Sequence, residues 1–194
     1  MTDTKSLLKY GIIAGPLYVT VSLAQALTRD GFDLTRHPWS LLSNGDLGWI
    51  QITNFVLTGL LVVAFAVGLR RVDSGKWAPR LIGVYGVSLI CAGVFRADPA
   101  LGFPPGTPDG ATDISWHGFL HFLAGGVGFT CLVVACFVVA RRFAPVFSIV
   151  TGVVLAVGFG GVASGVGPTL GFVAAVLLTW AWISALAVYH YRKG

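Results

Sequence analysis

The stretch Trp49-Ile-Gln-Ile-Thr-Asn-Phe-Val-Leu-Thr-Gly-Leu-Leu-Val-Val-Ala-Phe-Ala-Val-Gly-Leu69, followed at once by Arg70-Arg71, decides the fold class. It contains no charged residue, and it is long enough to cross a bilayer as a helix, which takes about 20 mostly apolar residues. Three of the four polar residues that interrupt it, Gln51, Asn54 and Thr58, share one helical face. Polar groups facing lipid are costly, so that face should look into a helix bundle or a wet cavity.

Five further stretches read the same way, giving expected spans near 7–27, 49–69, 81–95, 117–140, 146–166 and 170–189. The third is short unless residues 77–80 continue it, with Arg80 snorkelling to the surface. Gly15-Pro16 would kink the first. Lys5, Lys9, an apolar run and Ala24-Gln25-Ala26 resemble a cleavable signal, but the apolar run is long for one, and a retained helix is expected. The whole chain agrees: 194 residues, 55% hydrophobic, only 11% charged, mean hydropathy +0.80. Soluble domains carry about 25% charged residues. The expected fold is all-α, a single six-transmembrane-helix bundle with two long polar outer loops.

Ten of the thirteen Lys and Arg fall on one side of this layout: Lys5, Lys9, Arg70, Arg71, Lys76, Arg80, Arg141, Arg142, Arg192 and Lys193. Only Arg29, Arg36 and Arg96 fall on the other. The positive-inside rule makes the ten-charge side cytoplasmic, with both termini inside, in a cell membrane. The net charge of +5 is therefore a topology signal. No basic face alternates with exposed aromatics, so nucleic acid is set aside. Trp39, Trp49 and Trp116 should mark the outer interface and Trp77 the inner one, with Trp180 and Trp182 deeper. Cys91, Cys131 and Cys136 lie in apolar stretches and read as small buried hydrophobes. Small-residue pairs (Gly11 and Gly15, Gly161 and Gly165, Gly167 and Gly171) read as helix contacts.

The two long loops, 28–48 and 96–116, hold the candidate chemistry, since loops longer than a simple connector are where function concentrates. Ser22, Gln25 and Arg29 share one helical face, as do His117 and His121. Each stripe lies in the outer half of its helix. Two histidines at i and i+4 can share a metal, zinc first, with Asp98, Asp113 or His37 completing the set. Without His-Glu-x-x-His there is no built-in general base, and the plainer reading has the two rings seating a loop on the bundle. Arg29, Arg36 and Arg96 share the outer face with Asp33, Asp46 and Asp98. They read either as an ionic network that pins the loops, pairing Arg36 and Arg96 with those carboxylates, or as a pocket for an anionic lipid headgroup beside Gln51 and Asn54. No phosphate-binding loop, dinucleotide fingerprint or nucleophile elbow occurs. Arg36-His37-Pro38 only echoes the phosphatidic-acid phosphatase motifs. Haem is disfavoured because His117 and His121 share one helix and His190 is at the other side.

The segments Arg36-His-Pro-Trp-Ser40-Leu-Leu-Ser43, Gly48-Trp-Ile-Gln51-Ile-Thr-Asn54-Phe55, Gly68-Leu-Arg-Arg71, Asp98-Pro99, Gly102-Phe-Pro-Pro-Gly106, His117-Gly-Phe-Leu-His121 and Ala140-Arg-Arg-Phe143 together resemble the bacterial membrane family catalogued as domain of unknown function 998. The departure is at Gly167-Pro168-Thr169, where the resemblance implies a Gln-Arg pair. The family implies a six-helix membrane protein and no established activity. Three roles stand: a membrane protein whose outward polar cavity binds a small or lipidic ligand, a metal-dependent hydrolase on His117, His121 and Asp98, or a structural or accessory subunit.

Overall fold

The computed structural model of the chain describes residues 3–72, 75–110 and 113–193. Its helices are α1 (Thr4–Thr28), α2 (Gly48–Val72), α3 (Trp77–Val94), α4 (Trp116–Ala140), α5 (Pro145–Ala163) and α6 (Thr169–Lys193). All six are long and apolar enough to cross a membrane. Among the described residues there is no strand, only an isolated bridge between Ala100 and Phe103. The protein is thus an all-α, multi-pass membrane bundle.

Two boundaries differ from the hydropathy reading for local reasons. α3 begins at Trp77, so it does use the 77–80 segment. Pro79 falls in its first turn, where a missing N–H goes unnoticed. α5 ends at Ala163 because Gly165 takes φ +73°, and the Val166 and Gly167 N–H groups turn back to the Gly161 carbonyl at 3.1 and 2.8 Å. That left-handed glycine stop satisfies carbonyls the helix would leave unpaired. α1 runs unbroken through Pro16.

Each helix packs against its neighbours in sequence, and α6 closes the ring against α1. The Lys5 and Lys9 ammonium groups lie 5.9 and 5.7 Å from the Tyr191 ring centre, so the two chain ends meet at one end of the bundle. That basic end also carries the end of α2, with Arg70 and Arg71, the start of α3, with Arg80 close by, and Arg141 and Arg142. The two long loops share the opposite, loop end. Small residues set the spacing: a Cβ on Gly11 would strike Phe65 and Ala187, and one on Gly15 would strike Ser184 and the Trp180 backbone. In lipid, packing rather than the hydrophobic effect joins helices, so such close approach is the main adhesive. Aromatic side chains fill the interior, Phe65, Trp180 and Trp182 among them. α5 buries Ser148, Thr151, Gly152 and Leu155 while Val146 and Val157 face out, an inversion suited to acyl chains.

Trp49, Trp77 and Trp116 are exposed at helix ends, as an aromatic belt requires. Trp39 departs from that expectation. It lies in a single turn of 3-10 helix, Trp39–Ser43, and is buried, because that turn folds back onto α1 and α2.

Candidate functional site

The polar stripes of α1 and α2 meet inside the loop half of the bundle. Ser22, Gln25, Gln51, Asn54 and Thr58 are all buried. Gln51 Oε1 accepts from Gln25 Nε2 (2.9 Å), Ser22 Oγ (3.3 Å) and Asn54 Nδ2 (3.3 Å). Asn54 Nδ2 also donates to the Tyr18 carbonyl at 3.1 Å, and Thr58 Oγ1 donates to Asn54 Oδ1 at 3.3 Å. Buried amides must be paired, and the i, i+3/i+4 spacing on two adjoining helices lets these pair with one another.

Tyr18 sits one turn below Ser22 on the same face. Its ring packs against Trp180 (5.0 Å between centres), Trp39 (5.9 Å) and Phe55 (5.9 Å), and Trp180 packs on Tyr85 (5.8 Å). Among the described residues, two buried donors of this cluster, Trp39 Nε1 and Trp180 Nε1, have no partner, and neither has Gln25 Oε1 in the adjoining amide stripe. An unpaired buried donor or acceptor costs about 1–3 kcal/mol.

The loops form a cap over this cluster. Arg29, the residue that ends α1, donates to the Leu42 and Asn44 carbonyls, both at 2.6 Å. Burial pushes its guanidinium below the ordinary arginine value, while the Asp46 charge pulls it back up. Its face covers the Phe103 ring at 4.9 Å. Phe103 comes from the other loop and is fully buried against Phe32 and His37. His37 is buried too. Its Nδ1 accepts from the Asp33 N–H and its Nε2 donates to the Leu101 carbonyl, both at 2.9 Å. One neutral tautomer satisfies both bonds. Leu101 is held at φ +59° and Gly102 at +85° in the turn that presents Phe103. A non-glycine residue rarely adopts such a φ, and the bond from His37 helps to hold it.

Asp98 and the two α4 histidines lie at the next junction. Asp98 accepts from the Ser115 N–H (2.8 Å) and Ser115 Oγ (2.5 Å), and Ser115 Oγ accepts from the Gly118 N–H (3.1 Å), capping α4. His121 is buried. Its Nδ1 donates to the Ala92 and Phe95 carbonyls (3.1 and 2.9 Å), which α3 leaves unpaired where it ends. His117 stacks on Trp116 (3.6 Å between centres), and its Nδ1 is buried without a partner among the described residues. Among the described residues, no three His, Cys, Asp or Glu side chains are grouped to hold a metal ion. Asp98 is turned to Ser115 and His121 to α3.

The arginines are likewise not brought together. Arg36 pairs with Asp109 at 3.2 Å, with both side chains largely exposed, rather than with Asp33, Asp46 or Asp98. Asp33 is occupied locally. It accepts from the Thr35 hydroxyl (2.6 Å) and N–H (2.7 Å), and these bonds hold its carboxyl below the usual carboxylate value. Arg96 is exposed, with no hydrogen bond or ion pair among the described residues. Sequence reasoning missed Phe103, Trp39, Tyr18 and Trp180 as organisers of this region. Trp180 carried a signal, since an indole N–H deep in a span needs a partner.

The chain matches the family described as "Protein of unknown function (DUF998)" over residues 12–189, and it belongs to that family. No curated protein and no solved structure matches it.

Proposed function

We propose that the protein is a multi-pass protein of the cell membrane, with both termini cytoplasmic, that receives a small polar or lipidic ligand beneath its outer loop cap. The orientation rests on the ten cations of the basic end. The ligand reading rests on one observation: among the described residues, Trp39 Nε1 and Trp180 Nε1, in the two indoles that pack on the Tyr18 ring, are buried unpaired, and Gln25 Oε1, about two turns further along α1, is unpaired as well. Native proteins keep such groups where water or a ligand satisfies them. A ligand that offers acceptors to the two indoles and a donor to Gln25 would satisfy these atoms. Gln51, itself bonded to Asn54, then positions Gln25, and Arg29 holds the cap.

The test is mass spectrometry of molecules retained by protein purified in mild detergent, with melting measured in parallel. Wild type should retain a ligand, and Trp39→Phe/Trp180→Phe should lose it while melting no lower than ligand-free wild type. Removing an unpaired donor relieves its desolvation penalty. Wild type without any retained molecule, together with a more stable double variant, would instead leave a structural or accessory role.

A further inference from the structure

A second feature lies away from the cap, on the surface turned toward lipid. α3 has 18 residues and lies between α2 and α4, each of 25. It is drawn in against both. A Cβ on Gly59 would strike the Gly86 carbonyl, one on Gly86 would strike the Gly59 carbonyl, and one on Gly128 would strike Ser88. The recess leaves a groove of about 700 Å³ along the outer face of α3, floored and walled by apolar side chains such as Val67, Val84, Val87 and Leu123. Arg70 and Arg80 stand at its basic end, and Phe95 and Leu120 at the other. Along α3, Arg80 to Phe95 is roughly 22 Å at about 1.5 Å per residue. That exceeds the roughly 15 Å depth of one leaflet, half of a hydrocarbon core of about 30 Å.

Any lipid chain can enter an apolar groove in a bilayer, so selection has to come from its mouth. Arg70 and Arg80 are exposed, and among the described residues neither has a hydrogen bond or an ion pair. Arg80 is held over the Trp77 ring at 5.7 Å, and Trp77 is itself exposed at the helix end, where a headgroup region would begin. Residues 70–80 carry four cations against one acid, Asp73, which lies outside the described residues. A guanidinium fork matches phosphate oxygens better than it matches water.

We propose that this groove holds one anionic phospholipid of the leaflet at the basic end, its phosphate between Arg70 and Arg80 and one acyl chain lying along Val67, Val84, Val87 and Leu123. The site is independent of the one beneath the cap.

The experiment embeds the full chain in nanodiscs made of equal parts phosphatidylglycerol and phosphatidylcholine, extracts it gently and counts retained lipids by native mass spectrometry. Wild type should retain phosphatidylglycerol over phosphatidylcholine by roughly tenfold, the scale expected of two interfacial arginines. Arg70→Gln/Arg80→Gln should bring the ratio close to one. Val87→Trp, and independently Leu123→Trp from the α4 wall, should each lower the retained lipid with both arginines intact and helicity unchanged. Soluble glycerol phosphate should not displace the lipid. Equal retention of the two lipids by wild type would overturn the proposal, as would a preference that survives loss of both arginines. Displacement by the headgroup alone, or efficient disulfide formation between two copies carrying Val84→Cys, would overturn it as well.

Discussion

Asp98→Ala should loosen the junction between the second loop and α4. Asp98 accepts two short bonds from Ser115, at 2.8 and 2.5 Å. Hydrogen bonds to a charged partner contribute about 1.5–3 kcal/mol each. Both residues are half-buried, so water can replace part of this, and the lower end applies, with a net loss of about 2–3 kcal/mol. For a chain of this size each kcal/mol moves Tm by roughly 2–4 °C, which predicts a fall of roughly 5–10 °C in mild detergent. Asp98→Asn keeps one acceptor and should lose less than half of that. Ser115→Ala removes the hydroxyl bridge between Asp98 and the Gly118 N–H, so the double variant should fall short of the summed single losses by about 1 kcal/mol, as coupled neighbours do. Strictly additive losses, or an Asp98→Ala Tm equal to wild type, would refute the proposed junction.

Other expectations follow from the same contacts. Gln51→Leu strips the shared acceptor from Gln25, Ser22 and Asn54 and should destabilise by about 2–4 kcal/mol in a denaturant titration, because buried donors are left unpaired. Phe103→Ala removes the fully buried plug between Arg29, Phe32 and His37, and protease accessibility of the 28–48 loop should rise sharply with the transmembrane helices still folded. Asp33 should titrate below the ordinary carboxylate range by NMR, and Thr35→Ala should move its midpoint up, since the Thr35 bonds lower it. By linkage, the stability Asp33 contributes is present above its unfolded value and is lost as pH falls through the folded one. With Cys91, Cys131 and Cys136 replaced by alanine, an impermeant thiol reagent added outside cells should label Thr107→Cys and spare Lys76→Cys, as the positive-inside bias requires.

The spans were legible because a bilayer imposes a length and an apolarity that few other environments demand, as the uncharged run from Trp49 to Leu69 illustrates. The Ser22–Gln25 and Gln51–Asn54–Thr58 stripes were legible because the 3.6-residue period turns spacing into direction. The cap was not. His37 reaches the Leu101 carbonyl and His121 reaches those of Ala92 and Phe95, and every residue type offers a carbonyl. Arg29 likewise binds carbonyls instead of a carboxylate. Matching opposite charges along the sequence cannot find such bonds. It also gave Arg36 the wrong partners, since Asp109 reaches it across 73 residues of chain. The burial of Trp39 depends on the 3-10 turn folding inward, which no periodicity encodes.

The most direct test of the ligand reading is an experimental density map of the loop half in a lipid nanodisc, at a resolution that resolves ordered water. Non-protein density larger than a single water, within about 2.7–3.2 Å of Trp39 Nε1 or Trp180 Nε1 and extending toward Gln25, is the predicted result. Aromatic side chains packed directly against one another there, with both indole nitrogens bonded to protein or to nothing, would contradict it.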